Sequence, residues 1–301
     1  MSKQPTENQS LSLHDLLTLA TDFLKRKGIE SPRLDAELLL AHVLGCDRMG
    51  LYLNFEKVLA EEEKIAFREL LRRRAERTPV AYLTGKKEFF GLAFEVTPEV
   101  LIPRPETELI VERGVELLRK QIEETKEQNP FIIDVGTGSG CVGVALAVFV
   151  GRVRVVATDL SPAALTVARR NAAHHNVAER MTFVEGDLFA NYSGPPADLI
   201  VSNPPYVAEK DAATLAPEIA QHEPSGALFA GPQGFEIIER LLDEAPRHLK
   251  PNGTLLFEFG AGQQPDIEGL LMARTGSFEA PRFHRDLAGH PRACELRRSS
   301  R

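Results

Sequence analysis

The run Phe131-Ile132-Ile133-Asp134-Val135 passes directly into Gly136-Thr137-Gly138-Ser139-Gly140. From there the chain enters Cys141-Val142-Gly143-Val144-Ala145-Leu146-Ala147-Val148. The first segment has the length and β-branching of a buried strand, and the last reads as an apolar helix. Strand, glycine loop and helix in that order let the backbone approach a ligand closely beside a helix N-terminus. Downstream, residues 153–158, 181–186, 197–202 and 253–259 read as further strands, with helical stretches between them. Such alternation predicts an α/β architecture: a doubly wound, mostly parallel, Rossmann-like sheet. The tail 282–296, broken at Ala288-Gly289-His290, reads as a closing hairpin.

Gly138, Gly140 and Gly143 also satisfy the spacing G-x-G-x-x-G, so a dinucleotide has to be weighed. The spacing alone is a weak signal. Here Gly136 follows the strand directly, Asp134 precedes the loop, and Asp159 ends the next strand about 20 residues on, where a ribose-binding carboxylate belongs. Asp159 suits NAD and S-adenosylmethionine equally, because both carry a ribose diol. A third strand ends at Asp187, a candidate acceptor for an adenine amino group, with Leu188 beside it.

The tie is broken after the fourth strand, Ala197-Asp198-Leu199-Ile200-Val201-Ser202, which delivers Asn203-Pro204-Pro205-Tyr206. Two successive prolines fix φ and remove two backbone donors, which leaves a stiff corner lined by acceptors. The Asn203 oxygen and the Pro204 carbonyl can take both hydrogens of a planar –NH2 group, with the Tyr206 ring to lie against. A nicotinamide enzyme has no use for such a pocket; chemistry on an amide or amino nitrogen does. A proline-stiffened turn is the bland reading, just as Asp is a common helix cap and Gly a common turn residue. Four such features at the carboxyl ends of successive strands are hard to assemble by chance, and that is where open α/β sheets bind ligands.

Residues 1–85 look helical. Leu13, Leu16, Leu17 and Ala20 recur at helical spacing up to Gly28. Ser31-Pro32 starts a second helix, with Leu34, Leu38, Leu39 and Val43 on one face, and a third pattern runs from Ala60 to Ala75. Nothing in this bundle looks catalytic. Residues 86–108 form a hairpin or extended linker around Phe89-Phe90-Gly91, followed by the proline-fixed strap Val100-Leu101-Ile102-Pro103-Arg104-Pro105-Glu106-Thr107-Glu108. Arg104 and Glu106 are the residues expected to order that strap. The sheet domain then occupies 109–301.

The net charge of −7 is uneven: residues 1–85 hold 13 basic and 13 acidic side chains, leaving 23 against 30 elsewhere. Without a basic footprint, no stable nucleic-acid partner is expected, and the run Arg72-Arg73-Arg74 with Arg77 reads as a solvated helix face. Met1–Glu7 is polar and no run reaches the length of a membrane span, which points to the cytoplasm. Cys46, Cys141 and Cys294 are too few and too scattered for a disulfide framework or a zinc site. His174-His175 read as solvated or capping rather than as metal ligands, and no metal is expected.

These residues together resemble the bacterial release-factor glutamine methyltransferases. The resemblance spans nearly the whole chain. It rests on Ser31-Pro32-Arg33-Leu34-Asp35-Ala36-Glu37-Leu38-Leu39, Pro79-Val80-Ala81-Tyr82-Leu83-Thr84-Gly85, the strap, the glycine loop, Asn203-Pro204-Pro205-Tyr206 and Asp286-Leu287-Ala288-Gly289. It implies a methyltransferase sheet with S-adenosylmethionine over Gly136, Thr137, Gly138, Ser139 and Gly140, Asp159 on the ribose, Asp187 near the adenine, Leu188 in apolar contact with it and Asn203 also touching the cofactor. Some members carry a tryptophan where this chain has Leu188. It also implies that the glutamine of a Gly-Gly-Gln tripeptide in a peptide chain release factor enters the corner, with Asn203, Pro204 and Tyr206 as catalytic residues and Pro205 in the substrate pocket. The alternatives are a ribosomal-protein glutamine, whose enzymes carry a related strap with Ser-Pro, and an exocyclic amino group of a flipped base.

Overall fold

The computed structural model describes residues 11–125 and 129–300, so the polar run Met1–Glu7 lies outside the described residues. The chain divides into two compact units. One takes in the chain through Gly85 together with Pro217–His222; the other holds Lys86–Ala216 and Glu223–Arg301.

The first unit contains α1 (Leu13–Arg26), α2 (Pro32–Leu44), α3 (Arg48–Leu53), α4 (Glu61–Ala75) and α5 (Val80–Thr84). A capping box starts α1: the Ser12 hydroxyl accepts from the Asp15 amide, and the Asp15 carboxylate accepts from the Ser12 amide. Leu13, Leu17, Ala20 and Leu24 then pack with Leu39, Leu40, Leu51 and Phe67. The inner face of α2 differs from the expected one: Leu34 is 41% exposed, whereas Ala36, Leu39 and Leu40 are buried with Asp35 and Glu37. The cause is electrostatic. Asp35 pairs with Arg74 Nε at 2.7 Å, and Glu37 accepts from Arg33 Nε at 2.5 Å, Arg48 Nη2 at 2.6 Å and the Tyr52 hydroxyl at 2.7 Å. Carboxylates paired this fully tolerate burial, and they turn the helix toward their partners. Arg74 is therefore no part of a solvated face; it and Arg77 also hold Glu218 of the Pro217–His222 helix, at 3.1 and 3.2 Å.

The second unit opens with the hairpin β1 (Lys86–Phe89) and β2 (Leu92–Glu95). Its two-residue loop, Phe90-Gly91, has φ +50° and +72°, the mirror-image turn whose twist matches paired strands. The strap and a 3₁₀ turn, Pro105–Thr107, lead into α6 (Glu108–Thr125). In chain order there follow β3 (Phe131–Val135), α7 (Cys141–Val150), β4 (Arg154–Asp159), α8 (Pro162–His174), β5 (Met181–Glu185), β6 (Ala197–Ser202), β7 (Val207–Ala208), α9 (Pro217–His222), which belongs to the first unit, and β8 (Phe229–Gly231). It closes with α10 (Glu236–His248), β9 (Leu249–Glu258), α11 (Gln264–Met272), β10 (Arg282–Arg285) and β11 (Pro291–Arg297).

Seven strands form the main sheet in the order β10-β11-β9-β6-β3-β4-β5. The five from β5 to β9 are parallel, and the terminal hairpin β10–β11 adds antiparallel to β9, as the tail predicted. Neighbouring residues of β3 face opposite ways: Ile132 joins the core built on α7, and Ile133 the core of α10, Ile200 and Phe257. With both faces covered, the central strands β3 and β6 are buried throughout. Chain order reverses between β3 and β6, so the crevice at their carboxyl ends is the switch point. The fit of α7 to the sheet depends on Gly143, where an added Cβ would stand 2.8 Å from Asp134 Oδ2 and 3.3 Å from Val155 and Met181. Gly143→Ala is expected to cost about 1–3 kcal/mol by overpacking, readable as a lowered denaturant midpoint.

Candidate active site

A cavity of about 360 Å³ opens at the switch point, lined among others by Gly136, Gly138, Asp159, Leu188, Asn203 and Pro205. That volume lies in the range of small-molecule sites.

The glycine loop is held from beneath by Asp134. Its Oδ2 accepts from the Thr137 hydroxyl at 2.6 Å and from the Gly143 amide at 3.0 Å. Burial pushes this carboxyl up to about 6, while those two donors work in the opposite direction. The amides of Gly136 and Thr137 both reach the Thr158 carbonyl at 2.9 Å, tying the loop to β4. Gly138, at φ +55°, aims its amide at Asp159 Oδ2 (2.8 Å), and Asp159 Oδ1 accepts from the Ser161 amide at 2.9 Å. A Cβ on Gly136 or Gly138 would meet no heavy atom within 4 Å, so both present bare backbone to the cavity. Ser139 also lines the cavity, and its carbonyl accepts from Asn171 Nδ2 at 2.8 Å. Gly140 stands apart from the lining. It precedes α7 at φ +82°, and a Cβ there would lie 3.1 Å from Ala168, so it sets the closeness of α7 to α8.

This donor set decides between the two cofactors considered from the sequence. The N-terminus of α7, where a pyrophosphate would sit, already serves the buried Asp134 carboxylate. A dianionic pyrophosphate would face Asp134 and Asp159 across the same loop. A sulfonium cofactor carrying a ribose diol meets acceptors of the right charge instead. Asp187 and Leu188 line the far end of the cavity. Asp187 is half exposed and pairs with Arg240 Nη2 at 2.9 Å, so an adenine amino group would share it with that cation. Leu188 adopts φ +51°, rare for a branched side chain, and turns the chain sharply at this edge.

Asn203, Pro204 and Pro205 line the cavity from the end of β6. Asn203 Nδ2 donates to Thr107 Oγ1 at 2.9 Å, and Thr107 Oγ1 donates to Glu258 Oε2 at 2.7 Å. Among the described residues nothing donates to Asn203 Oδ1 or to the Pro204 carbonyl. Tyr206 does not reach the cavity lining; its hydroxyl donates to Glu258 Oε1 at 2.9 Å, and its carbonyl accepts from Gln263 Nε2 at 3.0 Å. Burial and the Glu258 charge push the Tyr206 phenol up, and burial raises Glu258. Sequence reasoning missed Glu258 and Gln263, and counted Thr107 only as part of the strap. A signal for Glu258 existed: it is the lone charge in the strand Leu255-Leu256-Phe257-Glu258-Phe259.

Upstream of Thr107 the strap is pinned by a second carboxylate. Buried Glu223 pairs through Oε1 with Arg104 Nη2 at 2.6 Å and through Oε2 with the Ile102 amide at 3.4 Å. Glu106 takes no part in that clamp. Arg104→Ala is expected to release the strap and lower turnover about tenfold, with faster amide exchange at Leu101 and Ile102 as the check. Cys141 lines the cavity, but burial pushes its thiol up to about 12, which removes it as a nucleophile. His175 Nε2 lies 2.8 Å from the Ala93 carbonyl, a structural contact.

Comparison with known proteins places this geometry among relatives. Residues 15–85 match the family described as PrmC N-terminal domain, and residues 108–225 the methyltransferase small domain. The release factor glutamine methyltransferase of Rhodopirellula baltica is 40% identical over 94% of this chain and 95% of its own length. That of Chlorobaculum tepidum is 45% identical, over 88% and 91% respectively. Among solved structures, the hMettl16 catalytic domain in complex with MAT2A 3'UTR hairpin 6 superposes with a TM-score of 0.56 at 18% identity, covering 77% of this chain and 82% of that one. At that identity the likeness is one of fold. Among the described residues no helix is long and apolar enough to cross a membrane.

Proposed function

The chain belongs to the release factor glutamine methyltransferases, and from that premise we propose that it methylates the side-chain amide nitrogen of the glutamine in a release factor's Gly-Gly-Gln tripeptide. It is an S-adenosylmethionine-dependent protein-glutamine methyltransferase. Bound in the cavity, the cofactor supplies a sulfonium-borne methyl group as electrophile. Gly136, Thr137, Gly138 and Ser139 would cradle it, with Gly140 setting the helix behind them. Asp159 would take the ribose hydroxyls, Asp187 the adenine amino group, and Leu188 the adenine face.

A carboxamide nitrogen is a poor nucleophile because its lone pair is shared with the carbonyl. The task of the corner is to hold and polarise it. Asn203 Oδ1 and the Pro204 carbonyl would accept its two hydrogens and aim the nitrogen into the cavity, Pro205 would stiffen the turn, and Tyr206 would steady it through Glu258. Rate then comes from orientation and from fixed dipoles rather than from a strong base. No dedicated base is required, since an amide that has gained a methyl and kept both hydrogens is a strong acid. The observation that carries this reading is the pair of unengaged acceptors, Asn203 Oδ1 and the Pro204 carbonyl, facing a cavity built for a cationic cofactor. The helical unit is the proposed grip on the release factor, and the cytoplasm the proposed setting.

Mass spectrometry of a release factor incubated with this protein and S-adenosylmethionine tests the proposal. One methyl on the Gly-Gly-Gln glutamine, absent with Asn203→Ala, is the expected result. An unmodified release factor, with cofactor binding confirmed separately, would overturn the substrate and redirect the search to ribosomal proteins and then to nucleic acids.

A further inference from the structure

We propose that Thr107 and Glu258 are positioning residues that lock the Asn203 carboxamide in one of its two flips, so that its oxygen and not its nitrogen faces the substrate amide. This rests on the methyltransferase reading above, because it is the substrate's two N–H hydrogens that need an acceptor. A side-chain amide is nearly symmetric in shape, and turning it over exchanges an acceptor for a donor. With the wrong flip, the Asn203 NH2 group would meet the substrate NH2 group hydrogen to hydrogen. Packing does not discriminate between the two orientations; hydrogen bonding does.

The polarity originates at Glu258. A carboxylate has no hydrogen to give, so the single Thr107 hydroxyl hydrogen goes to Glu258 Oε2 across 2.7 Å. Thr107 Oγ1 is left with lone pairs only, and at 2.9 Å it can bind the Asn203 nitrogen but would repel the Asn203 oxygen. The other carboxylate oxygen takes the Tyr206 hydroxyl at 2.9 Å, so one group anchors both ends of Asn-Pro-Pro-Tyr. Glu258 is 1% exposed and Thr107 2%, so no bulk water stands by to substitute for either partner. Burial opposes the ionised carboxylate, and so does the Glu106 charge; the hydrogen bonds from Thr107 and Tyr206 and the Arg292 charge favour it. Thr107 and Glu258 are 151 positions apart in the chain, meeting only because the strap and β9 converge beside β6.

Two measurements on Thr107→Val and Thr107→Ser decide the matter. In protein labelled with nitrogen-15 asparagine, the Asn203 side-chain hydrogens should exchange with water about tenfold faster in Thr107→Val, and Thr107→Ser should restore the slow rate. Turnover should fall between about tenfold and about 10²-fold in Thr107→Val at unchanged cofactor affinity, again recovered by serine. Placed on Asn203→Ala, the valine change should cost nothing more, since the two residues act as one unit. Unchanged exchange in Thr107→Val, or a turnover loss that adds to that of Asn203→Ala, would overturn the proposal. If the wild-type protein leaves a release factor unmethylated, the functional reading falls, yet the exchange of the Asn203 hydrogens still decides the role of Thr107.

Discussion

Asn203→Ala is expected to lower turnover by about 10²–10³-fold or more, while S-adenosylmethionine binds nearly as in the wild type. The alanine removes the one side-chain acceptor at the corner, and the Pro204 carbonyl alone cannot hold both hydrogens of an amide. The Asn203 nitrogen bonds only within the protein, to Thr107 at 2.9 Å, so the loss falls on the substrate side of the cavity. Measured cofactor affinity beside single-turnover rate separates the two effects. Full activity in the variant would remove Asn203 from the chemistry.

The mirror-image result is expected for Asp159→Ala. Here the cofactor is lost first, its affinity dropping by about 10²-fold, because the ribose loses a charged acceptor worth roughly 1.5–3 kcal/mol. The same change strips the Gly138 and Ser161 amides of the carboxylate they bond at 2.8 and 2.9 Å, so the loop loses its shape as well. Burial raises the Asp159 carboxyl, and a bound cation would stabilise its charged form. Asp159→Asn keeps one acceptor and should fall between the two. Titration calorimetry with S-adenosylmethionine checks both variants; wild-type affinity in Asp159→Ala would displace the ribose from this carboxylate.

The parts of the site that local pattern encodes were readable before any coordinates. A glycine loop after an apolar run, an aspartate at the end of the next strand and a double proline after the fourth each announce themselves within a few residues. The doubly wound sheet followed from alternation alone, and its observed order agrees. What stayed hidden is held by contacts across the chain. Glu223 clamps Arg104 from 119 positions away, and Glu258 reaches Thr107 from the far side of the sheet domain. Periodicity says which face of a strand is apolar, not which distant hydroxyl its single carboxylate meets. The inner face of α2 illustrates the same limit: a pattern of leucines pointed one way, and buried carboxylates seeking arginines turned it another.

The membership of Pro217–His222 in the first unit has a bearing on how such a chain is inherited and rebuilt. A contiguous head piece ends in one junction and can be swapped like a cassette, whereas this one is discontinuous in sequence. Its second fragment sits far downstream, inside the connection that follows Asn-Pro-Pro-Tyr. A graft of only the first 85 residues would leave Arg74 and Arg77 without Glu218, one of these cations being buried. Protease nicking after Gly85 would likewise leave a peptide still bound through that helix. Exchange of the helical unit between relatives therefore has to move two gene segments together, because Glu218 and Arg74 are paired across them.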